Sequence, residues 1–272
     1  MHVFVSAKDV DVEQVKWIDA RFSLQNPDYG IDEYNKEHIQ NAVHWDLAEK
    51  LSAESVSGGR HPLPAKDKLT ELYRASGLQL EDTILIYDDG GSPFAARAWW
   101  ILQYGGFKNA RILLEGYDQL KEIGCAVDRE TFVSPAQSSV QPEWQDHLYA
   151  SRSDVKQVVA REQDAVLLDA RAPERYRGEK EPIDHKAGHI PTASNFNWED
   201  LKEDGRYDVQ AAEKQLQQVA APDDKVIVYC GSGVTASPLF AALTELGYSD
   251  VRLYVGSFSD WISEDDAPIE TS

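Results

Sequence analysis

The chain of 272 residues has room for one large or two ordinary domains, each able to bury its own core. Its 27 Lys and Arg against 47 Asp and Glu give a net charge of −20, which excludes nucleic-acid backbones and anionic lipid surfaces as partners. An anionic small molecule must then be drawn in by a local positive pocket working against the global field.

No apolar run approaches the roughly 20 residues that span a bilayer, and residues 1–6 lack the basic start and apolar core of a signal peptide. Two cysteines, Cys125 and Cys230, are too few for a disulfide framework or a closed zinc site. The expectation is a cytoplasmic, membrane-free monomer without metal or other cofactor. His185 and His189 have the i, i+4 spacing of a helical metal pair, but Gly188 between them and Pro191 beyond argue against a helix there.

In chain order, amphipathic stretches at 66–75 and 95–104 alternate with apolar strand-like runs at 83–87 and 111–114. The stretch 134–142, with Pro, Ser and Gln and no clear period, reads as a linker. Beyond it, strands are expected at 166–169, 225–229 and 251–254, and helices near 209–220 and 239–246, the latter stopped by Gly247. Such alternation predicts an α/β protein with parallel sheets covered by helices.

The two halves repeat one another. Trp17-Ile18-Asp19-Ala20-Arg21 returns as Leu167-Leu168-Asp169-Ala170-Arg171, and Glu37-His38-Ile39 as Gly188-His189-Ile190. Tyr87-Asp88 returns as Tyr229-Cys230, and Gly116 as Gly256. So long a period means two copies of one domain, placed at 1–125 and 147–272 with a linker at 126–146, and not a solenoid. Arg21 and Arg171 occur in both copies and read as structural, partnered by Asp19 and Asp169.

Cys230 carries the chemistry. It follows the apolar run Val226-Ile227-Val228-Tyr229 and opens Cys230-Gly231-Ser232-Gly233-Val234-Thr235-Ala236 ahead of a helix. A thiol delivered by a strand into a glycine-rich turn at a helix N-terminus is placed where backbone amides and the helix's positive end favour thiolate over thiol. Gly231 and Gly233 let the backbone approach the sulfur, and the hydroxyls of Ser232 and Thr235 can donate to it, relay a proton or cap the helix. Cys125 reads as structural or incidental. Asp88 stands where the second copy has Cys230, so the first copy should be catalytically silent.

The loop Cys230-Gly231-Ser232-Gly233-Val234-Thr235-Ala236 resembles that of the mercaptopyruvate sulfurtransferases in the rhodanese superfamily. The resemblance extends over nearly the whole chain through Leu168-Asp169-Ala170-Arg171, Gly188-His189-Ile190-Pro191 and Tyr254-Val255-Gly256-Ser257-Phe258 ahead of Trp261. It implies two tandem rhodanese-like domains, each a mainly parallel sheet flanked by helices. The implied activity is transfer of a sulfur atom from a small anionic donor, 3-mercaptopyruvate or thiosulfate, through a Cys230 persulfide. The implied acceptor is cyanide, a small thiol or a thioredoxin-like protein.

The family's main substrate-binding arginine falls at Arg175, and Gly58-Gly59-Arg60-His61-Pro62-Leu63-Pro64 matches a loop that relatives project over the active site. The resemblance thereby gives His61 a proton-handling or substrate-orienting role, Arg60 anion attraction, and Asp46 or Glu49 the auxiliary carboxylate. Residues 231 and 233–235 are expected to line the donor site.

Two departures bear on the donor. Mercaptopyruvate enzymes usually carry a second arginine where this chain has Ile183 after Glu181-Pro182, a loss that Arg177 or Lys186 could offset. Thiosulfate enzymes usually place basic residues after the cysteine, where Gly231 and Ser232 are neutral. The loop favours mercaptopyruvate, with thiosulfate as the alternative. A cysteine phosphatase would need an arginine at position 236, which is Ala236. A non-catalytic redox-sensing module is the remaining alternative, since fold does not imply function.

Overall fold

The computed structural model describes residues 2–12, 14–55, 59–132 and 138–272. Two compact units emerge, Met1–Ala53 with Pro64–Gln145, and Glu54–Leu63 with Asp146–Ser272. The short segment 54–63 thus belongs with the second unit although it lies within residues 1–125.

The first unit runs β1 (Phe4–Val5), β2 (Lys16–Asp19), α1 (Tyr29–Lys36), β3 (His38–Ile39), β4 (Ala42–His44), α2 (Lys66–Ala75), β5 (Ile84–Tyr87), α3 (Phe94–Tyr104), β6 (Ala110–Leu113), α4 (Tyr117–Glu122) and β7 (Val127–Asp128). Its main sheet has the order β1-β6-β5-β2-β4 and is parallel throughout; β3 and β7 form a separate antiparallel pair. Every residue of β5 is buried, as a central parallel strand covered on both faces requires. Within the stretch 126–146, the described residues 138–145 hydrogen-bond to this unit, Ser138 N–H to Arg74 O and Gln145 N–H to Tyr104 O. Val127–Asp128, also within the expected linker, forms β7, and residues 133–137 lie outside the described residues.

The second unit runs α5 (Arg152–Val159), β8 (Val166–Asp169), α6 (Pro173–Tyr176), β9 (Ser194–Asn195), β10 (Lys202–Glu203), β11 (Arg206–Tyr207), α7 (Val209–Leu216), β12 (Lys225–Tyr229), α8 (Ala236–Glu245), β13 (Asp250–Leu253) and α9 (Ser257–Trp261). The sheet order β13-β12-β8-β9 is again parallel, and β10–β11 is a small hairpin. Helix α8 starts three residues before the expected 239 because Pro238 sits in its first turn, where a missing N–H leaves no gap. Helix α7 ends at Leu216, short of 220, giving way to turns at Val219 and Ala220 that bond back to Leu216 O.

The repeated tags are one buried device built twice. Arg21 donates through Nε and Nη2 to Asp19, and Arg171 does the same to Asp169; all four side chains are buried. Arg21 Nη2 also reaches Glu37 O at 2.9 Å, and Arg171 Nη2 reaches Gly188 O at 2.7 Å. Tyr87 and Tyr229 each accept an N–H at 3.2 Å, from Ile39 and Ile190. A buried ion pair of this kind costs about 3–5 kcal/mol to break from one side, which accounts for its presence in both copies. No helix among the described residues is long and apolar enough to cross a membrane.

Candidate active site

Cys230 emerges from β12 at the carboxyl end of the parallel sheet, where ligand sites of such folds lie. The first turn of α9 pins its backbone. Cys230 N–H donates to Ser257 Oγ at 3.0 Å, while Cys230 O and Gly231 O accept the N–H groups of Phe258 and Ser259 at 2.9 Å. Ser257 holds a left-handed backbone, φ 57°, and is tied down by its Oγ donating to Tyr254 O at 2.9 Å.

Within the loop, Gly233 N–H donates to Cys230 Sγ at 3.1 Å, the contact expected of a turn that stabilises a sulfur anion. Gly233 is required twice over: its φ is 76°, and a Cβ there would lie 2.3 Å from Val255 O. Thr235 is the N-cap of α8 but makes no side-chain cap; the hydroxyl that ties the turn is Ser237, donating to Gly233 O at 3.0 Å. Val234 packs inward, and Cys230 is only 1 % exposed, so the sulfur lies at the base of the loop.

Segment 54–63 brings in Arg60 and His61. A Cβ on Gly59 would meet Gly256 O at 2.6 Å, so the segment lies directly on the turn before α9, and Arg60 N–H donates to Ser259 Oγ at 3.1 Å. His61 Nδ1 stands 2.9 Å from Ser232 Oγ. Gly58, named with this loop, is outside the described residues.

Both guanidinium groups face Gly231. A Cβ on Gly231 would lie 2.7 Å from Arg60 Nη2 and 3.6 Å from both terminal nitrogens of Arg175. Arg175, at the end of α6, donates through Nε and Nη2 to Glu181 at 3.0 and 2.7 Å, and through Nη2 to Asp184 at 3.1 Å. Arg60 Nη1 donates to the other oxygen of Asp184. Burial pushes the Glu181 carboxyl up, but Arg175 and the amides of Asp184 and Ile183 outweigh it and hold the group below its ordinary range. At Asp184 burial wins against the two arginines, and the carboxyl is raised.

Arg177 pairs with Glu179 at 2.9 Å, and Lys186 donates to the carbonyls of Glu264 and Asp265; neither fills the place left by Ile183, which is 59 % exposed. Asp46 and Glu49 lie in the first unit, where Asp46 caps its own turn through the N–H groups of Ala48 and Glu49. Cys125 is half-buried against the first unit's core, and burial raises its thiol. His189 Nδ1 bonds Tyr176 O at 2.8 Å, its ring stacked on Tyr176. Among the described residues no group of three His, Cys, Asp or Glu is placed to hold a metal ion.

In the first copy Asp88 follows β5 as Cys230 follows β12. Its two oxygens accept N–H bonds from Gly90 at 2.8 Å and Ala95 at 3.0 Å, so a carboxylate fills the turn. Burial pushes it up to about 7, with those amides opposing. Sequence reasoning missed Asp184, Ser257 and Ser259 as parts of the site.

A rhodanese-like domain model matches residues 6–123 and again 151–264. The chain is 39% identical over 264 residues to a "Probable 3-mercaptopyruvate sulfurtransferase" of Pseudomonas aeruginosa, covering 93% of this chain and 91% of that protein. It is 37% identical to SseB of Mycobacterium tuberculosis, named for thiosulfate sulfurtransfer, over 94% of this chain and 91% of SseB. The solved 3-mercaptopyruvate sulfurtransferase from Leishmania major superposes with a TM-score of 0.83 at 26% identity, covering 96% of this chain and 74% of the other. With the repeat, the cysteine turn and these matches in agreement, the chain belongs to the two-domain sulfurtransferases of the rhodanese-like family.

Proposed function

We propose that the protein moves a sulfur atom from 3-mercaptopyruvate, through a persulfide on Cys230, to a thiol or to cyanide. The observation that carries this reading is the stack above Cys230: an amide on the sulfur, two guanidinium groups over Gly231 and a histidine–serine pair alongside. The donor's carboxylate meets Arg175 and Arg60, which suit a planar anion. Cys230 is only 1 % exposed, so the loop around it must open for the donor's sulfur to reach it.

The thiolate then attacks that sulfur. An S–S bond forms, the C–S electron pair goes to carbon as the pyruvate enolate, and the enolate takes a proton. His61 and Ser232, joined at 2.9 Å, are the groups placed to deliver it. The amide of Gly233, 3.1 Å from the Cys230 sulfur, is placed to stabilise the thiolate. An acceptor thiolate next attacks the outer sulfur and returns the S–S pair to Cys230; cyanide would leave as thiocyanate. A free-thiol acceptor and an unpaired Cys230 suit a reducing compartment such as the cytoplasm.

Thiosulfate is the second donor, supported by the name of SseB and by a guanidinium pair that can also take a sulfonate end. Side-by-side kcat/KM values with one acceptor test the ranking, and higher efficiency with thiosulfate reverses it. Intact mass after donor treatment should show one added sulfur, removable by reductant. Persistence of that adduct in Cys230→Ser, with Cys125 intact, would sink the nucleophile assignment.

A further inference from the structure

The loss of a cation at position 183 leaves a question that Asp184 answers. This side chain is 3 % exposed and uses both oxygens on guanidinium groups, one on Arg60 Nη1 and the other on Arg175 Nη2. Arg60 comes from 124 residues upstream, and its side chain is 32 % exposed. Glu181 holds Arg175 from the same side and also accepts the N–H groups of Ile183 and Asp184 at 3.0 Å. The nitrogens left facing Gly231 are Arg60 Nη2 and Arg175 Nη1.

We infer that Asp184 is a positioning residue that locks Arg60 beside Arg175, making Arg60 the second guanidinium of a two-pronged grip for a carboxylate. This rests on the sulfur-donor reading of the Cys230 loop. Two arginines against Asp184 and Glu181 make the cluster neutral in sum, so it recognises by directed N–H groups and not by excess charge. Such a site takes a planar monoanion, the carboxylate of mercaptopyruvate, more readily than the dianion thiosulfate. Donor choice is therefore set partly by a residue that touches neither donor.

Asp184→Asn keeps the shape, loses one acceptor and leaves the cluster with a net positive charge. Its kcat/KM for mercaptopyruvate should fall about tenfold, chiefly through KM, while thiosulfate is unchanged or improved. Asp184→Glu, which keeps charge but displaces the carboxylate, should lose mercaptopyruvate without gaining thiosulfate. In an Arg60→Met background, Asp184→Asn should add little further loss. Equal losses with both donors, or losses that add fully, would make Asp184 a structural ion pair and overturn the inference.

Binding of pyruvate and of sulfite to Cys230→Ser protein, read by calorimetry, separates the grip from the chemistry. Pyruvate affinity should fall about tenfold with Asp184→Asn and sulfite affinity should not. Asp184-dependent pyruvate binding, together with wild-type protein that takes up no sulfur from either donor, would keep the grip and discard the sulfurtransfer reading. Sulfur loading with pyruvate binding indifferent to Asp184 and Arg60 would do the reverse.

Discussion

His61 and Ser232, 171 positions apart, meet at 2.9 Å, with Ser232 in the loop that begins at Cys230. The contact has different value for the two donors, because loss of pyruvate from mercaptopyruvate needs a proton and loss of sulfite from thiosulfate does not. His61→Ala should lower kcat with mercaptopyruvate roughly 100-fold, in the range of a lost general acid, and with thiosulfate less than about tenfold. Ser232→Ala should follow in the same direction with a smaller loss. Steady-state kinetics with both donors decides the matter, and equal losses would reduce the pair to a brace for the loop.

The two glycines of the loop should fail in different ways. A Cβ on Gly231 comes close only to the tip of the Arg60 side chain, at 2.7 Å, with Arg175 at an ordinary 3.6 Å, so a small shift of Arg60 Nη2 accommodates it, whereas a Cβ on Gly233 meets the fixed carbonyl of Val255 from a left-handed backbone. Gly231→Ala should leave stability within about 0.5 kcal/mol and raise KM for the donor. Gly233→Ala should destabilise the second unit by at least about 1–2 kcal/mol, the steric charge for a left-handed alanine. Chemical denaturation alongside kinetics checks both, and a destabilised Gly231→Ala with normal KM would contradict the placement of the arginines.

Much of this was legible because the repeat exposes its own constraints. The Asp-Ala-Arg tags and the Tyr87/Tyr229 positions recur since each copy needs the same buried ion pair at the same strand ends, and Cys230 stood out against Asp88 for the same reason. Strand β12 and helix α2 fall at their expected bounds, each an uninterrupted run ended by turn chemistry. Arg60, His61 and Arg175 at the rim were named through the resemblance, but the contacts that join them were not legible. Ile183 marked a missing cation, but its replacement comes from Arg60 through a carboxylate bridge that only the folded chain assembles. Ser257 sat inside a recognised run, yet its left-handed φ and its bond from Cys230 N–H leave no trace in composition.

Asp88 gives the first unit a pH signature. Its carboxyl ionises near 3.8 when unfolded and at about 7 when folded, so the folded state holds the proton more tightly between those values. The stability that this supplies is complete below about pH 4 and is lost as pH rises through about 7, by at most on the order of 4 kcal/mol. Asp88→Asn removes the titration. The stability difference between wild type and Asp88→Asn should therefore shift toward the variant from pH 5 to pH 8 in denaturant titrations. A difference that stays flat would mean that the amides of Gly90 and Ala95 keep Asp88 ionised throughout.

Arg175 is both an ion pair and a ligand, and the two roles separate by measurement. Its removal does not strand Glu181, which still faces Arg171 at 3.4 Å and accepts the amides of Ile183 and Asp184, so Arg175→Ala should fold. Loss of a charge-assisted contact to the donor should cost roughly 2–4 kcal/mol of transition-state binding, one and a half to three decades in kcat/KM. Arg175→Lys should recover only part, because the N–H groups of an ammonium radiate from one nitrogen and cannot reproduce the planar fork that pairs with Glu181 through Nε and Nη2 while Nη1 faces Gly231. Added salt should weaken donor capture less than is usual for an anion-binding enzyme, since screening also relieves repulsion from the −20 charge. If Arg175→Ala, folded by tryptophan fluorescence, keeps efficiency within about threefold of wild type with both donors, its pairing with Glu181 and Asp184 is its whole role and the donor's anionic end passes to Arg60 alone.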